Sequence, residues 1–452
     1  MHYSGYAHIH TIGCQMNVYD SEKLGTVLHA LGYQLTRDPE QADVIVCNTC
    51  AVRHKAEEKA FSFLGRFARE KQKRPHLITV MAGCVAQQEG KNAFQRLPHL
   101  DLVLGTRAVS RFGRHIESLK SGQRQIVDID SSNAIFDALP DETAFEENPV
   151  SKFVTIMQGC DNYCTYCVVP YVRGRERSRS WQSIVREIEI LAENGIREVT
   201  LLGQNVNSYG AKEKSLSFAR LLEKVAEIDN IHRIRFATSH PKDLSEDLIR
   251  AMADLDKVCN HLHLPVQSGS NQILKKMNRG YTREVYLSRI DALRSAVPDM
   301  GLSTDIIVGF PSETPEAFEE TMALVEQVGF DSIFAFAYSD RSSAPAAKFS
   351  DPVEDAEKMA RLNRLLAFQD TITRKKNHEM TGRVVQVLVE GVSPKQHDGF
   401  VKTTPHTRQM TGRSATNKIV HFPSDVLAAG DLVDIKIENA YPHSLWGRAL
   451  EQ

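Results

Sequence analysis

Short apolar runs alternate with amphipathic stretches through the first third of the chain. A run at 52–71 has the apolar spacing of a helix, and Asp20 or Ser21 is expected to cap an earlier helix. Alternating strands and helices are typical of a parallel sheet covered by helices, so this part predicts a Rossmann-like α/β domain. Its predicted strands lie at 7–12, 43–48, 77–82 and 101–105.

A polar, acidic stretch at about 120–150 has the composition of a linker, and six strand–helix units follow it. Because eight such units close a full barrel, six predict a partial (β/α)6 barrel. The strands are predicted near 152–157, 197–203, 231–238, 260–266, 302–308 and 332–338. The helices are predicted at 181–194, 216–228, 243–254, 282–296, 315–328 and about 353–377.

The last part of the chain changes to short strand-like runs separated by Gly, Pro, Asn and Asp. Such runs, including 384–392, 399–404, 417–422, 431–440 and 444–450, predict a small antiparallel β-barrel of about five strands. The predicted fold class is therefore α/β with three domains, at 1–145, 146–375 and 376–452.

Composition narrows the possible roles of the chain. Its 452 residues contain no apolar run long enough to cross a bilayer, and the N-terminus lacks the pattern of a secretory signal. A cytoplasmic protein without a membrane role is therefore expected. The formal net charge of −2 excludes a polycation, so any nucleic-acid site must be local. The eight cysteines, several of them clustered, are expected to be metal ligands or catalytic groups more than disulfides.

Cys160, Cys164 and Cys167 have the spacing C-x3-C-x2-C and follow the first predicted strand of the barrel. Three thiolates can bind three irons of a [4Fe–4S] cluster and leave the fourth iron open. Buried structural cysteines or a zinc site are the alternatives, but zinc needs a fourth ligand and the loop contains no further Cys or His. An iron–sulfur site at the top of the barrel is the favoured interpretation.

A second set of cysteines is dispersed in sequence. Cys14, Cys50 and Cys84 each follow the end of a predicted strand, and the carboxyl ends of parallel strands meet at one edge of a sheet. Taken singly, each would be an inert buried residue, but their common position predicts that the thiols converge. Cys47 and Cys259 lie within or just before strands and are interpreted as core residues.

Four arginines follow the clustered cysteines at every second position, from Arg173 to Arg179. In an extended segment, residues with period two share one face. Glu176 falls on the opposite face. A solvated charged loop is one interpretation, but the position next to the cysteines favours binding of a carboxylate or phosphate.

Several segments together resemble the radical S-adenosylmethionine methylthiotransferase family and, within it, the MiaB-type tRNA enzymes. They are "TIGCQMNVYDSE" (11–22), "NTCAVRHKAEEK" (48–59), "AGCVAQQEG" (82–90), "GCDNYCTYCVVPYVRGR" (159–175) and "HLPVQSGSN" (263–271). The C-terminal β domain is similar to the TRAM module, which binds RNA. The resemblance covers essentially the whole chain.

The resemblance implies two [4Fe–4S] clusters and S-adenosylmethionine (SAM). Cys160, Cys164 and Cys167 would hold the radical-generating cluster, and Cys14, Cys50 and Cys84 the auxiliary cluster. The implied reaction attaches a methylthio group to C2 of N6-isopentenyladenosine beside the tRNA anticodon, with one SAM as methyl donor and another as radical source. The implied partners are tRNA and an electron donor such as flavodoxin or ferredoxin, and a monomer is expected.

Residues near the implied substrates are expected at two places. The residues expected near SAM are Gln204, Gln267, Ser268, Arg173 and Glu176, and Tyr163 or Tyr166 would shield the cluster, stack on adenine or simply pack. The residues expected to contact RNA phosphates are Lys402, Arg408, Arg413 and Lys418, with solubility as the alternative role of each.

Other functions stay open at this point. A methylthiotransferase for threonylcarbamoyladenosine in tRNA, or for an aspartate of a ribosomal protein, would use the same cofactors. The segments "GCQMN" and "NTCAVR" resemble the isopentenyladenosine group more closely. A non-catalytic tRNA-binding iron–sulfur protein and a zinc-containing RNA-binding protein are the alternatives from other classes, and neither would cleave SAM.

Overall fold

A six-stranded parallel sheet forms the N-terminal part of the protein. The structure, a computed structural model, describes residues 5–51, 54–130, 150–341, 343–394 and 408–450. The sheet order is β2-β1-β3-β4-β5-β6. These strands are Gly5–Ile12 (β1), Tyr33–Leu35 (β2), Val44–Thr49 (β3), Ile78–Gly83 (β4), Leu102–Leu104 (β5) and Ile126–Asp128 (β6). β3 and β4 are buried along their whole length, because helices cover both faces.

The helices of this part differ from the prediction in two details. The first begins at Gln15 with Cys14 as its N-cap, so the expected cap at Asp20 or Ser21 is wrong: both lie buried within the helix. The predicted helix at 52–71 is two helices. The helices are Gln15–Ala30 (α1), His54–Gly65 (α2), Ala68–Lys73 (α3), Cys84–Glu89 (α4), Ala93–Arg96 (α5) and Phe112–Lys120 (α6).

The central part is a six-stranded partial barrel whose parallel strands follow one another in sequence order. Strands β7, β10 and β11 form one sheet and β12, β13 and β14 another, and a bridge between Ile234 and Val258 joins them. The strands are Ser151–Thr155 (β7), Glu198–Leu202 (β10), Arg233–Ala237 (β11), His261–His263 (β12), Gly301–Val308 (β13) and Ser332–Ala337 (β14). In the described residues β7 and β14 each pair on one side, so the barrel is open between them.

Helices cover the outside of this barrel and bury the main hydrophobic core against the strands. Ile333 and Ala335 face that core and α14, so Phe334 and Phe336, on the opposite face of β14, point into the barrel. The helices are Trp181–Glu193 (α8), Phe218–Ala226 (α9), Glu246–Asp254 (α10), Asn271–Lys276 (α11), Arg283–Ala296 (α12), Pro315–Val328 (α13) and Asp355–His378 (α14).

A buried charge network joins the N-terminal sheet to the barrel. Glu187 of α8 accepts from Lys23 Nζ at 2.9 Å and from Arg179 Nη1 at 2.6 Å, and Tyr19 of α1 also donates to it. All of these side chains are buried. Because each charge is paired, the contact fixes how α1 and the barrel lie against each other.

A closed five-stranded barrel forms the C-terminal part, with order β15-β16-β17-β19-β18. Its strands are Val384–Val392 (β15), Gln409–Ser414 (β16), Ile419–Pro423 (β17), Leu432–Ala440 (β18) and Leu445–Ala449 (β19). The predicted strand at 399–404 lies outside the described residues, and β16 is a strand that the sequence pattern did not predict. The predicted fold class is confirmed.

The C-terminal barrel covers the amino end of the central barrel. Arg235, inside β11, donates to the carbonyls of Ser414 at 2.8 Å and Ala415 at 3.2 Å, and to Glu198 at 2.8 Å. Lys418 pairs with Asp331, just before β14, at 3.0 Å. The turn between β16 and β17 therefore closes this end. In the described part of the chain, the carboxyl end and the β7/β14 gap are the approaches to the interior.

Among the described residues, no helix combines the length and the apolar character needed to cross a membrane.

Candidate active site

The three dispersed cysteines meet at the carboxyl edge of the N-terminal sheet, as the strand ends predict. Cys14 follows β1, Cys50 follows β3 and Cys84 follows β4, where it is the first residue of α4. The amide of Cys50 donates to the carbonyl of Ile12 at 2.9 Å, which holds the ends of β1 and β3 side by side. Three residues that are far apart in sequence thus form one thiol group.

These thiols interact directly with one another. Hydrogen bonding with Cys50 lowers the pKa of Cys14 to about 6 and of Cys84 to about 7. The same two interactions, together with burial, raise the pKa of Cys50. The positive charge of Arg173 further favours the thiolate forms of Cys14 and Cys84. The group can therefore supply thiolates near neutral pH, the form that binds metal.

Arg173 reaches this group from the barrel domain. Its Nη2 lies 2.7 Å from Oδ2 of Asp20 on α1, and both side chains are buried. Burial opposes the charged form of Arg173, but Asp20, Cys84 and Cys14 outweigh it and raise the pKa of the guanidinium. Nη1 of Arg173 is buried and finds no hydrogen-bond partner within the described part of the chain.

The clustered cysteines lie on a loop that leaves and re-enters a short two-stranded pair. Met157–Gln158 (β8) pairs with Arg177–Ser178 (β9), and the loop between them contains the helical turn Val169–Val172 (α7). Gly159 opens the loop with φ +80°, and a Cβ there would lie 2.2 Å from the carbonyl oxygen of Arg175. Only glycine fits this position, which brings the two ends of the loop together.

Cys160, Cys164 and Cys167 are held by contacts around this loop. The amide of Cys160 donates to the carbonyl of Gly174 at 3.2 Å, and that of Cys167 to the carbonyl of Cys164 at 2.9 Å. Arg279 donates to the sulfur of Cys164 at 3.4 Å. The loop therefore places its thiols at the carboxyl end of the barrel beside a buried cation.

Burial governs the protonation of this second group. It raises the pKa of Cys160 to about 11 and of Cys167 to about 12, where the charge of Cys164 adds to the effect. The three thiols lie at separate positions of the loop next to cationic Arg279, an arrangement that suits an anionic iron–sulfur cluster. Binding of such a cluster would displace the protons of the thiols.

Four of the five residues expected near SAM lie around the barrel's carboxyl end. Gln204 accepts from the amide of Gly159, and Glu176 accepts from Ser208 Oγ at 2.9 Å. Gln267 has φ +74° and links to β13, and Ser268 is fully buried beside Thr321. The fifth, Arg173, instead faces the N-terminal cysteines.

The predicted single face of arginines is wrong. Arg173 and Arg179 are buried and paired with Asp20 and Glu187, whereas Arg175 and Arg177 are exposed. The segment is not extended, because α7 and the positive φ of Gly174 turn the chain before β9 begins. Two of the arginines therefore serve the contact with the N-terminal domain.

The residues expected to contact RNA have different environments. Lys402 lies outside the described residues, and Arg408 is exposed. Arg413 is half-buried and pairs with Glu390 at 2.8 Å. Lys418 is largely buried and donates to Asp331 and Asn377, so in this structure it joins the two barrels.

Two residues of the site have no sequence pattern that indicates their role. Asp20 has the sequence position of a helix cap, and Arg279 belongs to no motif. Lys436 and Arg448 are exposed cross-strand neighbours on β18 and β19. Alternation along these strands identifies their exposed faces, but not which of those faces contacts RNA.

The interior of the central barrel has an open aromatic face. Phe334 and Phe336 are 53% and 42% exposed, although they point inward. His263 packs edge-to-face on Phe334, with ring centroids 5.8 Å apart, and approaches Asp305 at 3.5 Å. This wall lies beside the β7/β14 gap and combines apolar rings with polar groups, as sites for planar organic ligands do.

Comparisons with known proteins divide the chain in the same order. The model of the radical SAM superfamily matches residues 154–325, and that of the TRAM domain matches 378–450. Residues 6–105 match the model described as uncharacterized protein family UPF0004.

Solved structures share the fold of much of the chain. A radical S-adenosylmethionine methyltransferase, TsrM, from Kitasatospora setae, determined with cobalamin and a [4Fe–4S] cluster bound, has a TM-score of 0.57 at 12% identity, covering 76% of this chain and 77% of that one. The cobalamin-dependent radical enzyme OxsB has a TM-score of 0.50 at 14% identity, covering 81% and 56%.

Curated relatives are similar over almost the whole chain. The tRNA-2-methylthio-N(6)-dimethylallyladenosine synthase of Desulfosudis oleivorans is 50% identical, covering 98% of this chain and 96% of the relative. The synthase of the same name from Syntrophobacter fumaroxidans is 48% identical, covering 99% and 96%. The chain therefore belongs to the tRNA-2-methylthio-N(6)-dimethylallyladenosine synthase family, within the radical SAM superfamily.

Proposed function

We propose that this enzyme attaches a methylthio group to C2 of N6-isopentenyladenosine, next to the anticodon of tRNA. The observation that carries the proposal is the placement of two three-cysteine groups on either side of the 168–175 segment. Relatives of nearly equal length that are named for this product support the same conclusion. The C2–H bond is unactivated, so the reaction needs a radical step as well as a source of sulfur.

Cys160, Cys164 and Cys167 are proposed to bind one [4Fe–4S] cluster, and Cys14, Cys50 and Cys84 a second. The first cluster, when bound, would supply the electron that cleaves SAM reductively. Arg279 orients the barrel group through Cys164, and the partly buried Tyr166, which also accepts from Arg279 at 3.3 Å, packs beside it. The thiolates of Cys14 and Cys84 favour a second metal-bound group within reach of the barrel.

SAM is proposed to bind at the barrel's carboxyl end, near Gln204, Glu176, Gln267 and Ser268. One SAM would provide the radical and a second the methyl group. Glu176 is buried beside Cys160, and burial raises its pKa. A carboxylate or carboxylic acid at this position can accept or donate hydrogen bonds to the amino or hydroxyl groups of such a ligand.

The base is proposed to enter through the β7/β14 gap and to stack on Phe334 and Phe336. An anticodon-loop base is unpaired, so unstacking it costs little. Both rings are exposed inside the barrel, where the apolar isopentenyl substituent would be removed from water. The amino end is closed by the C-terminal barrel, and no described residue fills the side opening, so the nucleotide is proposed to use it.

The C-terminal barrel is proposed to bind the tRNA backbone through Arg408, Lys436 and Arg448. Arg448 is exposed, and its guanidinium lies over the ring of Trp446, 5.8 Å from the centroid.

We also propose domain limits at 1–145, 146–375 and 376–452, a flavodoxin or ferredoxin as electron donor, a monomeric state and a cytoplasmic location, where tRNA is available.

Nucleoside mass spectrometry of tRNA from a strain that lacks the gene tests the proposal. The expected result is loss of 2-methylthio-isopentenyladenosine, accumulation of isopentenyladenosine, and recovery when the intact gene is returned. Loss of a methylthiolated threonylcarbamoyl derivative, with the isopentenyl product unchanged, would assign the enzyme to the other tRNA substrate instead.

A further inference from the structure

Arg173 occupies the space between the two cysteine groups. Its own carbonyl accepts from Arg107 Nε at 3.0 Å, and the next carbonyl, that of Gly174, accepts from the amide of Cys160 at 3.2 Å. Its side chain points the other way, toward Asp20 and the N-terminal thiols. One residue thus connects the barrel loop to the N-terminal group.

The surroundings of Arg173 hold it in a single position. Val172 and Val168 of the same segment pack in one core cluster with Cys84 and Ala51. Thr106 also donates to the carbonyl of Val172 at 2.7 Å. The guanidinium is 4% exposed. Arg173 therefore has little freedom to turn toward the barrel or toward solvent.

Not every N–H group of the Arg173 side chain has a hydrogen-bond acceptor. Nη2 donates to Asp20 at 2.7 Å, whereas Nη1 is buried and has no partner among the described residues. Buried charged donors are almost always paired, so an open one needs an acceptor that the described residues do not supply. Since Cys14 and Cys84 face the same guanidinium, an acceptor at that place would lie beside their sulfur atoms.

We propose that Arg173 is a positioning residue whose free Nη1 binds the anionic sulfur species, hydrosulfide or methanethiolate, at the N-terminal cysteine group. This inference rests on the proposed function, which requires sulfur to reach that group before transfer. The Asp20 carboxylate neutralises much of the guanidinium charge and fixes its plane. The open N–H then selects a small, soft anion by a charge-assisted hydrogen bond.

The same geometry separates Arg173 from SAM binding. A guanidinium on the SAM carboxylate would have to face Cys160, but Asp20 holds this one on the N-terminal side. Arg175, two residues later, is exposed and pairs with Asp161 at 3.4 Å. It is therefore the matched control, with the same charge and chemistry on the same segment.

The test measures methanethiolate binding to the full chain with anaerobically reconstituted clusters. Cys160, Cys164 and Cys167 are changed to alanine, so that the EPR signal of the reduced protein reports the N-terminal cluster alone. Two further variants are compared in this background. Arg173→Lys keeps the charge but loses the second donor, and the pair Asp20→Asn with Arg173→Gln removes both buried charges together.

The expected result is at least tenfold weaker methanethiolate binding in both variants, with iron content unchanged and with Arg175→Gln equal to the parent. Equal affinity in all proteins would overturn the inference, and so would loss of N-terminal iron in both variants, because Arg173 would then serve cluster assembly. If the protein with unchanged Arg173 and Asp20 also binds no methanethiolate, the proposed function of the N-terminal cysteine group is wrong. This outcome differs from one in which all proteins bind methanethiolate with equal affinity.

Discussion

The Nη1 atom of Arg279 lies 3.4 Å from the sulfur of Cys164, and Nη2 of the same guanidinium donates to the carbonyl of Pro265 at 2.6 Å. This buried cation ties the cysteine loop to the segment that follows β12. Hydrogen bonds and positive charge next to cluster sulfurs raise the reduction potential, because they stabilise the more negative, reduced state.

Changing Arg279 to Gln is therefore expected to lower the potential of the barrel cluster by roughly 60 mV or more, equivalent to about a tenfold change for a one-electron couple. Redox titration followed by EPR measures it, in a background with Cys14, Cys50 and Cys84 changed to alanine. Arg250→Gln, an exposed arginine on α10, is the control. An unchanged potential at full iron content would exclude this role of Arg279.

A substitution of Lys418 is expected to lower stability, and a substitution of Arg408 is expected to weaken RNA binding. Lys418→Met leaves Asp331 with Lys376 alone, so the free energy of unfolding should fall by about 1–3 kcal/mol. Arg408 is exposed, so Arg408→Ala should leave the free energy of unfolding unchanged and weaken tRNA binding. The slope of log affinity for tRNA against log salt concentration should become smaller by about one. Urea unfolding and tRNA titrations at several salt concentrations measure both effects. The reverse pattern would return Lys418 to the RNA surface.

Buried neutral histidines predict that stability falls with acid. Burial, followed by the charge of Arg279, lowers the pKa of His240 to about 2, and burial lowers that of His261 to about 3. Below pH 6.5 the unfolded chain gains protons that the folded chain does not, so each histidine costs up to about 1.4 kcal/mol of stability per pH unit. Above pH 6.5 this cost disappears.

His240→Gln is expected to remove about half of that two-histidine slope between pH 6.5 and 5.5, as measured by urea unfolding. His76→Gln, at an exposed site, should leave the slope as it is. If His240→Gln and the unchanged protein have equal slopes, His240 is not the group that opposes acid.

The aromatic wall of the barrel predicts a selective loss of substrate recognition. Changing Phe334 and Phe336 to Ala should raise KM for tRNA bearing isopentenyladenosine about tenfold, because stacking on a base contributes about 1–3 kcal/mol. Total tRNA affinity should change little, since phosphate contacts dominate it. Leu366→Ala, on α14, is the control. An unchanged KM would place the base elsewhere.

Strands such as β3 and β4 were predictable because they are buried on both faces and consist of short runs rich in apolar and β-branched residues. β2 and β6 were missed because each has three residues and one of the three is polar, whereas the equally short β5 is entirely apolar. β16 was missed because most of its residues are polar or glycine. The rule that strand ends meet at one edge identified Cys14, Cys50 and Cys84 as neighbours. This prediction needed only the order of strands and helices along the chain, and no knowledge of side-chain positions.

The role of Arg173 could not be predicted in the same way. Its partner, Asp20, is 153 residues away, and the two meet only because the barrel docks on α1. The period of two among the arginines suggested one extended face, but a local turn at Gly174 overrides that pattern. Contacts between domains depend on packing that no local spacing encodes.

The two separate three-cysteine groups are each expected to bind a four-iron cluster. Iron content per chain is measured after anaerobic purification and reconstitution. About eight irons are expected for the unchanged protein and about four when Cys14, Cys50 and Cys84 are changed to alanine. If this triple variant keeps the iron content of the unchanged protein, the N-terminal cysteines do not bind a cluster.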